Sequence, residues 1–182
     1  TSFSSPTKYI KVVVLSAGSG NSEISFRVDK LGSATQQIPE STETQVTFTN
    51  EVFDVGDKYD TSTSRFTPGV AGRYFLTATI YLIDVGSSTV GKVYIRKNGV
   101  VIAESHSKTS SSSMVLTVNT VAEANSTDYF DVTVEHDYPG YRNLSVDDQL
   151  LWFAGCRVGG DNSGGANKYV ADWATSHGGT TV

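Results

Sequence analysis

Apolar and polar residues alternate with a period of two in several short segments of the chain. Residues 24–29 and 45–49 each place their apolar side chains on one face, as expected for a strand that covers a core on one side. Further segments rich in β-branched and aromatic residues are 73–83, 92–96, 100–105, 114–118, 129–135 and 150–158. No convincing run of apolar residues at helical spacing extends beyond two turns. The pattern therefore predicts an all-β protein.

The segment 73–83 is the longest predicted strand, and both of its faces carry large side chains. One face carries only apolar and aromatic side chains, those of Tyr74, Leu76, Ala78, Ile80 and Leu82. The other face includes Phe75 and Tyr81 between polar residues. We therefore expect the second face to be covered as well, either by another sheet or by a neighbouring subunit.

Turn signals separate the predicted strands. Asn98-Gly99 favours positive φ at both central positions of a hairpin, and Pro139-Gly140 pre-sets a bend within residues 137–142. Short strands joined by such turns, without helices between them, indicate a sandwich or a barrel rather than a parallel sheet.

The chain length of 182 residues favours one domain with extra segments at its ends. We assign residues 1–21 to an N-terminal strand or linker, 22–158 to the head domain and 159–182 to a glycine-rich tail. Within the end segments, Tyr9–Leu15 is β-rich, and Tyr169–Trp173 is expected to dock as a short strand or a single turn. Neither a signal peptide nor an apolar stretch of about 20 residues is visible, so we expect a mature product or a part of a longer chain.

Composition and charge narrow the classes of partner. The net charge is -5 and the Lys and Arg residues are scattered, so nucleic acid is not an expected partner. Cys156 is the single cysteine, which rules out an internal disulfide. We expect Cys156 to act as a small buried hydrophobe in the last predicted strand.

One motif is far more specific than the alternation. Six residues follow the spacing F-x5-D-x4-Y-x6-F-x5-G-x-Y, namely Phe48, Asp54, Tyr59, Phe66, Gly72 and Tyr74. This spacing resembles the signature of the complement-one-q globular head, a branch of the tumour-necrosis-factor-like jelly rolls. The stretches 58–67, 96–99 and 153–158 are similar to further parts of that pattern, so the resemblance runs from about Ser22 to Val158.

The resemblance implies a jelly-roll β-sandwich of about ten antiparallel strands, three copies of which pack around an axis. The strand with Tyr74 would lie in the sheet that faces this axis. Gly72, just before this strand, allows a tight entry that a side chain would block. The residues expected in the trimer interface or in the core that reaches it are Tyr59, Phe66, Tyr74, Phe75, Leu76, Trp152 and Phe153.

Catalytic and metal sites find little support in the sequence. His136 precedes the Pro-Gly bend and is interpreted as an exposed turn residue, and no nucleophile elbow occurs. No cofactor is predicted. Calcium is the one metal that the loop carboxylates suggest, although they lack the spacing of an EF-hand. These carboxylates are Asp54, Asp57, Asp60, Asp147 and Asp148.

The candidate ligand-binding residues are Tyr138, Tyr141 and Arg142, because Tyr and Arg are the residue types that anchor interfaces and stack on sugars. The sequence thus favours a non-enzymatic homotrimeric head that binds a host-surface glycan or protein. Its expected location is a virion surface, on a fibre, spike or decoration, or another extracellular site. Two alternatives stay open: a structural trimerisation or capsid-decorating module, and a carbohydrate-binding accessory domain of a larger depolymerase.

Overall fold

The computed structural model describes residues 23–147 and 149–160, which form thirteen strands. The strands are β1 Ser25–Asp29, β2 Gln37–Ile38, β3 Thr44–Gln45, β4 Asn50–Val55, β5 Tyr59–Asp60, β6 Arg65–Phe66, β7 Gly72–Ile83, β8 Val90–Lys97, β9 Val100–Lys108, β10 Ser113–Ala124, β11 Phe130–His136, β12 Arg142–Leu144 and β13 Trp152–Gly160. The predicted segments Tyr9–Leu15 and Tyr169–Trp173 lie outside the described residues.

The strands form two antiparallel sheets that face each other across one core. The large sheet has the order β2-β12-β7-β13-β1-β4, and β10 pairs with the other edge of β7 along its whole length. The small sheet has the order β5-β6-β11-β8-β9, with β3 also paired to β11. This arrangement confirms the predicted all-β sandwich.

Aromatic rings fill the space between the sheets. The ring of Phe26 lies 4.3 Å from that of Phe66 and 4.9 Å from that of Phe153, measured between centroids. Tyr59 stacks on Phe26 at 5.4 Å, and Tyr74 meets Phe66 edge-on at 5.7 Å. The aromatic residues of the motif thus belong to one cluster, whose members come from both sheets and bury most of their area.

The two remaining motif residues act on the backbone. The Asp54 carboxylate accepts hydrogen bonds from the amides of Lys58 and Tyr59 at 2.6 and 2.7 Å, which closes the turn after β4. Gly72 starts β7 where a Cβ atom would lie 2.7 Å from the carbonyl oxygen of Gly159. The six motif residues therefore form part of the core, close one turn and allow one close backbone contact.

The hairpin between β8 and β9 confirms the prediction at Asn98-Gly99. Both residues have positive φ, 53° and 79°, as a type I′ turn requires. Asn98 also exchanges hydrogen bonds with Asp128 and Tyr129, which ties the hairpin to the loop between β10 and β11.

Several strand boundaries differ from the predicted ones. β10 continues to Ala124, well past the predicted end at Val118, because β7 offers it a partner over twelve residues. In the predicted strand 45–49 only Gln45 joins a ladder, although Val46 and Phe48 are buried in the core. β13 ends at Gly160, two residues past the predicted edge of the head.

His136 is not the exposed turn residue that its position before Pro-Gly suggested. It is the last residue of β11, only 1% exposed, and its Nε2 lies 2.9 Å from the carbonyl oxygen of Ile38. The strand extends further than the turn signal implied, so the histidine is enclosed under the segment that carries β2. Cys156, expected to be buried, is only half-buried because it lies on the outer face of the large sheet, opposite Phe75.

Candidate functional site

The outer face of the large sheet is rich in apolar side chains. Phe53, Val55, Phe75 and Val121 are 37–58% exposed, and they lie on three strands of this sheet, β4, β7 and β10. The pairing brings them into rows across the sheet: Phe75 lies opposite Val121 on one side and Cys156 on the other. Val55 follows in the same row through its pairing with Ser25. We call the outer face around these four side chains the apolar face.

The outer face of the small sheet has a different chemistry. Arg96 binds the fully buried carboxylate of Asp131 through two hydrogen bonds of 2.8 and 2.9 Å, and its third nitrogen binds Glu43 at 3.1 Å. Lys92 pairs with Glu135 at 3.5 Å on the same two strands. The Lys92–Glu135 pair is a cross-strand pair of opposite charge on a surface in contact with water.

A second group of exposed apolar residues lies on β9, the edge strand of the small sheet. Val100, Val101 and Ile102 are 67%, 42% and 37% exposed. β9 runs beside β10, the edge strand of the large sheet, so these residues lie along one side of the sandwich rather than on the apolar face. We call them the edge strip.

The seven residues predicted for the core or the trimer interface separate into two groups. Five are buried in the core of a single chain, namely Tyr59, Phe66, Tyr74, Leu76 and Phe153. Phe75 and Trp152 instead lie on the outer side of the large sheet, where Trp152 is half-buried with the Arg27 guanidinium 5.5 Å from its ring. Phe75 and Trp152 are thus the members that a second chain can reach.

Sequence reasoning missed most of the apolar face and all of the edge strip. The available signal was weak: Phe53 and Val121 lie outside the strands predicted from the sequence, and residues 100–102 were assigned to a strand with no indication of a partner surface. Only the pairing of distant strands places them side by side.

The structure shows what the predicted loop carboxylates bind. Asp54 accepts hydrogen bonds from backbone amides of the turn after β4. Asp60 accepts hydrogen bonds from the hydroxyl and the amide of Ser62, which lower the pKa of Asp60 below its ordinary value. An open cleft of about 510 Å³ lies beside Asp57 and Asp60. Within residues 23–147 and 149–160, no three His, Cys, Asp or Glu side chains are grouped so that they could hold a metal ion. Asp148 lies outside the described residues.

The loop between β11 and β12 lies at the end of the sandwich opposite to where the described chain enters and leaves. Ser25 and Gly160 are at one end, since Gly160 pairs with Gly72, the first residue of β7. β12 pairs with Ile83, the last residue of β7, and therefore lies at the other end. We call this end, with the loops 84–89, 109–112 and 137–141, the distal end.

The three predicted ligand-binding residues meet in the distal loop 137–141 and its first β12 residue. The Arg142 guanidinium carbon lies 3.9 Å from the centroid of the Tyr138 ring, and its Nη2 donates to the carbonyl of Pro139 at 2.8 Å. Nη1 donates to the carbonyl of Tyr141. Tyr141 itself is 62% exposed. The loop therefore presents one aromatic side chain and uses the other two residues internally.

At the end of the sandwich opposite the distal end, a network of hydrogen bonds and an ion pair centred on Asp128 joins two loops. Asp128 is 5% exposed and accepts hydrogen bonds from Asn98 Nδ2 at 2.7 Å and the Asn125 amide at 2.8 Å. Lys97 Nζ lies 2.8 Å from its other side. Chiefly the hydrogen bond from Lys97, with those from Asn125 and Asn98, lowers the pKa of Asp128 to about 2.

No helix long and apolar enough to cross a membrane occurs in the part of the chain that the structure describes.

Comparisons with solved structures identify the fold. Murine APRIL superposes with a TM-score of 0.56 and 14% identity over 75% of this chain and 99% of that chain. The Eiger TNF of S. frugiperda gives 0.57 and 10% over 77% and 95%. The globular domain of zebrafish complement 1qA protein gives 0.50 and 16% over 75% and 97%. All three share the jelly-roll fold with this chain.

Comparison of the amino-acid sequence with other proteins identifies the family. No curated protein matches the chain significantly. The profile of the C1q domain family, however, matches residues 31–148, which is more than half of the chain and includes the whole Phe48-to-Tyr74 motif. Since the structure explains each residue of that motif, sequence and fold agree, and the chain belongs to the C1q domain family.

Proposed function

We propose that this chain is a non-enzymatic homotrimeric recognition head. One observation carries the proposal: the outer face of the large sheet exposes Phe53, Val55, Phe75 and Val121, while that of the small sheet carries paired charges. Exposed apolar side chains gathered on one face indicate an interaction site, because leaving them in water is unfavourable. Domains of the C1q and tumour-necrosis-factor-like families are generally trimeric and bind receptors or other ligands, which supports the same conclusion.

The positions of the apolar face and the edge strip favour a ring over a two-fold dimer. In a dimer with two-fold symmetry the same patch meets itself, whereas two different patches on one chain pair head to tail. Here the apolar face points away from the core, and the edge strip of Val100, Val101 and Ile102 lies along the side of the sandwich. Packing the strip of one copy onto the face of the next would cover both surfaces, and the proposed trimer is a ring of three such contacts.

The distal end is the proposed recognition surface. It lies away from Ser25 and Gly160, so a head attached through either end of its domain presents the loops 84–89, 109–112 and 137–141 outward. Three copies of one weak site give a large gain in avidity when a surface offers many copies of the ligand. In this proposal the ligand is a host-surface glycan or protein, and the head caps a virion fibre, spike or decoration.

Sedimentation equilibrium at micromolar concentration tests the trimer. The wild-type chain should sediment at three times its mass of 19.5 kDa. Phe75→Glu should sediment as a folded monomer, because it places a charge in the apolar face. Ser111→Glu, which adds the same charge at an exposed position in the loop 109–112 away from both surfaces, is the matched control and should remain trimeric. A wild-type monomer, or a trimeric Phe75→Glu variant, would contradict the proposal.

A further inference from the structure

We infer that Tyr141 is the residue through which the distal end contacts a carbohydrate, and that Arg142 and Tyr138 are positioning residues that hold Tyr141 in place. The inference rests on the proposed recognition function and assigns a ligand class and separate roles to the three residues.

Arg142 is engaged by its own loop. Its guanidinium stacks on Tyr138 and donates to the carbonyl groups of Pro139 and Tyr141. Its Nε is buried without a hydrogen-bond partner among the described residues. Because these donors and one face of the guanidinium are already engaged within the loop, Arg142 has few free donors with which to bind a carboxylate or phosphate through two hydrogen bonds.

The loop is fixed to two neighbouring segments. The Tyr138 ring packs so closely on Gly86 that a Cβ atom there would lie 2.0 Å from the ring. On the other side the Gly140 amide donates to the Glu40 carboxylate at 3.1 Å. Gly140 has a φ of 79°, a left-handed conformation that glycine adopts without strain. The backbone that carries Tyr141 is therefore held at both ends.

Tyr141 differs from its neighbours in exposure. It is 62% exposed, whereas Leu144, three residues later, is fully buried. An exposed aromatic side chain on a fixed backbone loses little conformational entropy when it binds, which is how rigid aromatic anchors act in recognition surfaces.

The chemistry around Tyr141 favours a sugar over an anion or a peptide. The nearby carboxylates are those of Glu40 and Asp137, each of which has an oxygen bound to a backbone amide and retains further acceptor sites. An anionic ligand would be repelled by these groups. A single exposed ring offers no apolar groove for a peptide side chain, but it does offer an apolar surface to the C–H face of a sugar, whose hydroxyl groups can donate to the carboxylates.

The test uses the trimeric protein and a printed array of mammalian and bacterial surface oligosaccharides, followed by surface plasmon resonance with the strongest oligosaccharide. Tyr141→Ala should weaken binding at least about tenfold, while Tyr141→Phe, which keeps the ring, should remain within about threefold. Tyr129→Ala is the matched control, since Tyr129 is also covered by an arginine, Arg65 at 4.1 Å, but at the opposite end of the molecule. Its binding should not change.

Positioning is measured separately from contact. Arg142→Lys and Gly86→Ala should each weaken binding severalfold and speed hydrogen exchange of the amides in 137–141, with the trimer intact. Loss of binding in Arg142→Lys without faster exchange would mean that Arg142 touches the sugar and is not a positioning residue. Absence of any bound oligosaccharide, or unchanged binding by Tyr141→Ala, would overturn the inference. Either result leaves the trimer, which sedimentation measures, unaffected.

Discussion

At the residue scale, two side chains of the motif, Asp54 and Tyr74, form hydrogen bonds with residues close to them in the sequence. Asp54 closes a turn four and five residues ahead, and Tyr74 donates its hydroxyl hydrogen to the carbonyl of Val70 at 2.7 Å. Both contacts join residues a short, fixed distance apart in the sequence, but the sequence pattern predicted neither of them and suggested Asp54 as a candidate calcium ligand. The roles of Gly72 and Asp128 depend on partners far away in the sequence, and only the structure shows them.

Asp128 should make stability depend on acid. Its folded pKa of about 2 is below the ordinary value of 3.8, so the unfolded chain binds the proton more readily. Its contribution to the free energy of unfolding is therefore present above about pH 4 and is lost as the pH falls towards 2. Urea unfolding of wild type and Asp128→Asn at fixed protein concentration should differ at pH 7 and converge near pH 2. Asp57→Asn, an exposed carboxylate, should show no such difference; equal stability of Asp128→Asn and wild type at pH 7 would contradict this account.

Gly72 should tolerate no side chain. Gly72→Ala places Cβ at 2.7 Å from a backbone oxygen that cannot rotate away, and we expect a loss of about 1–3 kcal/mol in the free energy of unfolding. Gly159→Ala in the paired strand is the control, since its Cβ would meet only the end of the Arg73 side chain at 3.3 Å. Thermal melts of both variants measure the difference, and an equally stable Gly72→Ala would be evidence against the close contact.

At the scale of elements, alternation located the long strands and failed on the short ones. β7 was evident because eleven residues repeat one pattern, and the structure places Tyr74, Leu76 and Ile80 inside as predicted. β5 and β6 have two residues each, too few for any periodicity. β4 was missed because it contributes Phe53 and Val55 to the outer side and has no buried residue of its own.

Truncating a core side chain of β7 should reduce stability far more than truncating an exposed side chain of β9. Leu76→Ala removes a fully buried side chain from the core and should cost about 2–5 kcal/mol in the free energy of unfolding. Glu104→Ala on β9, whose ion pair with His106 is exposed, should stay within about 0.5 kcal/mol of wild type. Urea titrations at one protein concentration give both values. A Leu76→Ala variant as stable as Glu104→Ala would mean that this face of β7 is not the core side.

At the scale of the whole molecule, the two sheets present opposite surfaces to the surroundings. Charge pairs cover the small sheet, with Asp131 buried beneath Arg96 and Glu43. The large sheet carries the apolar face, and the edge strip lies on β9, at the edge of the small sheet. The proposed subunit contact rests on this contrast between the outer faces of the two sheets.

A head-to-tail ring makes the edge strip as important as the apolar face. Ile102→Lys, combined with Val100→Lys, should convert the trimer to folded monomers, as Phe75→Glu should. Lys108→Glu, an exposed change in the same strand, should not. Sedimentation and circular dichroism distinguish dissociation from unfolding. A trimer that survives the edge-strip substitutions would argue for an assembly that uses the apolar face alone.

The sequence by itself determined the all-β class, the long strands, the Asn98-Gly99 hairpin and the family, because period-two burial, turn conformation and a fixed motif spacing are all local properties. It also brought Tyr138, Tyr141 and Arg142 together, since they are neighbours along the chain. Only the tertiary structure decided that Arg142 stacks within its own loop, that His136 is buried and that five of the seven interface or core candidates fill the core. It also assembled the apolar face from residues up to 68 positions apart, as Phe53 and Val121 are. These outcomes depend on which strands pair, and pairing is set by the burial of the whole core rather than by any one segment.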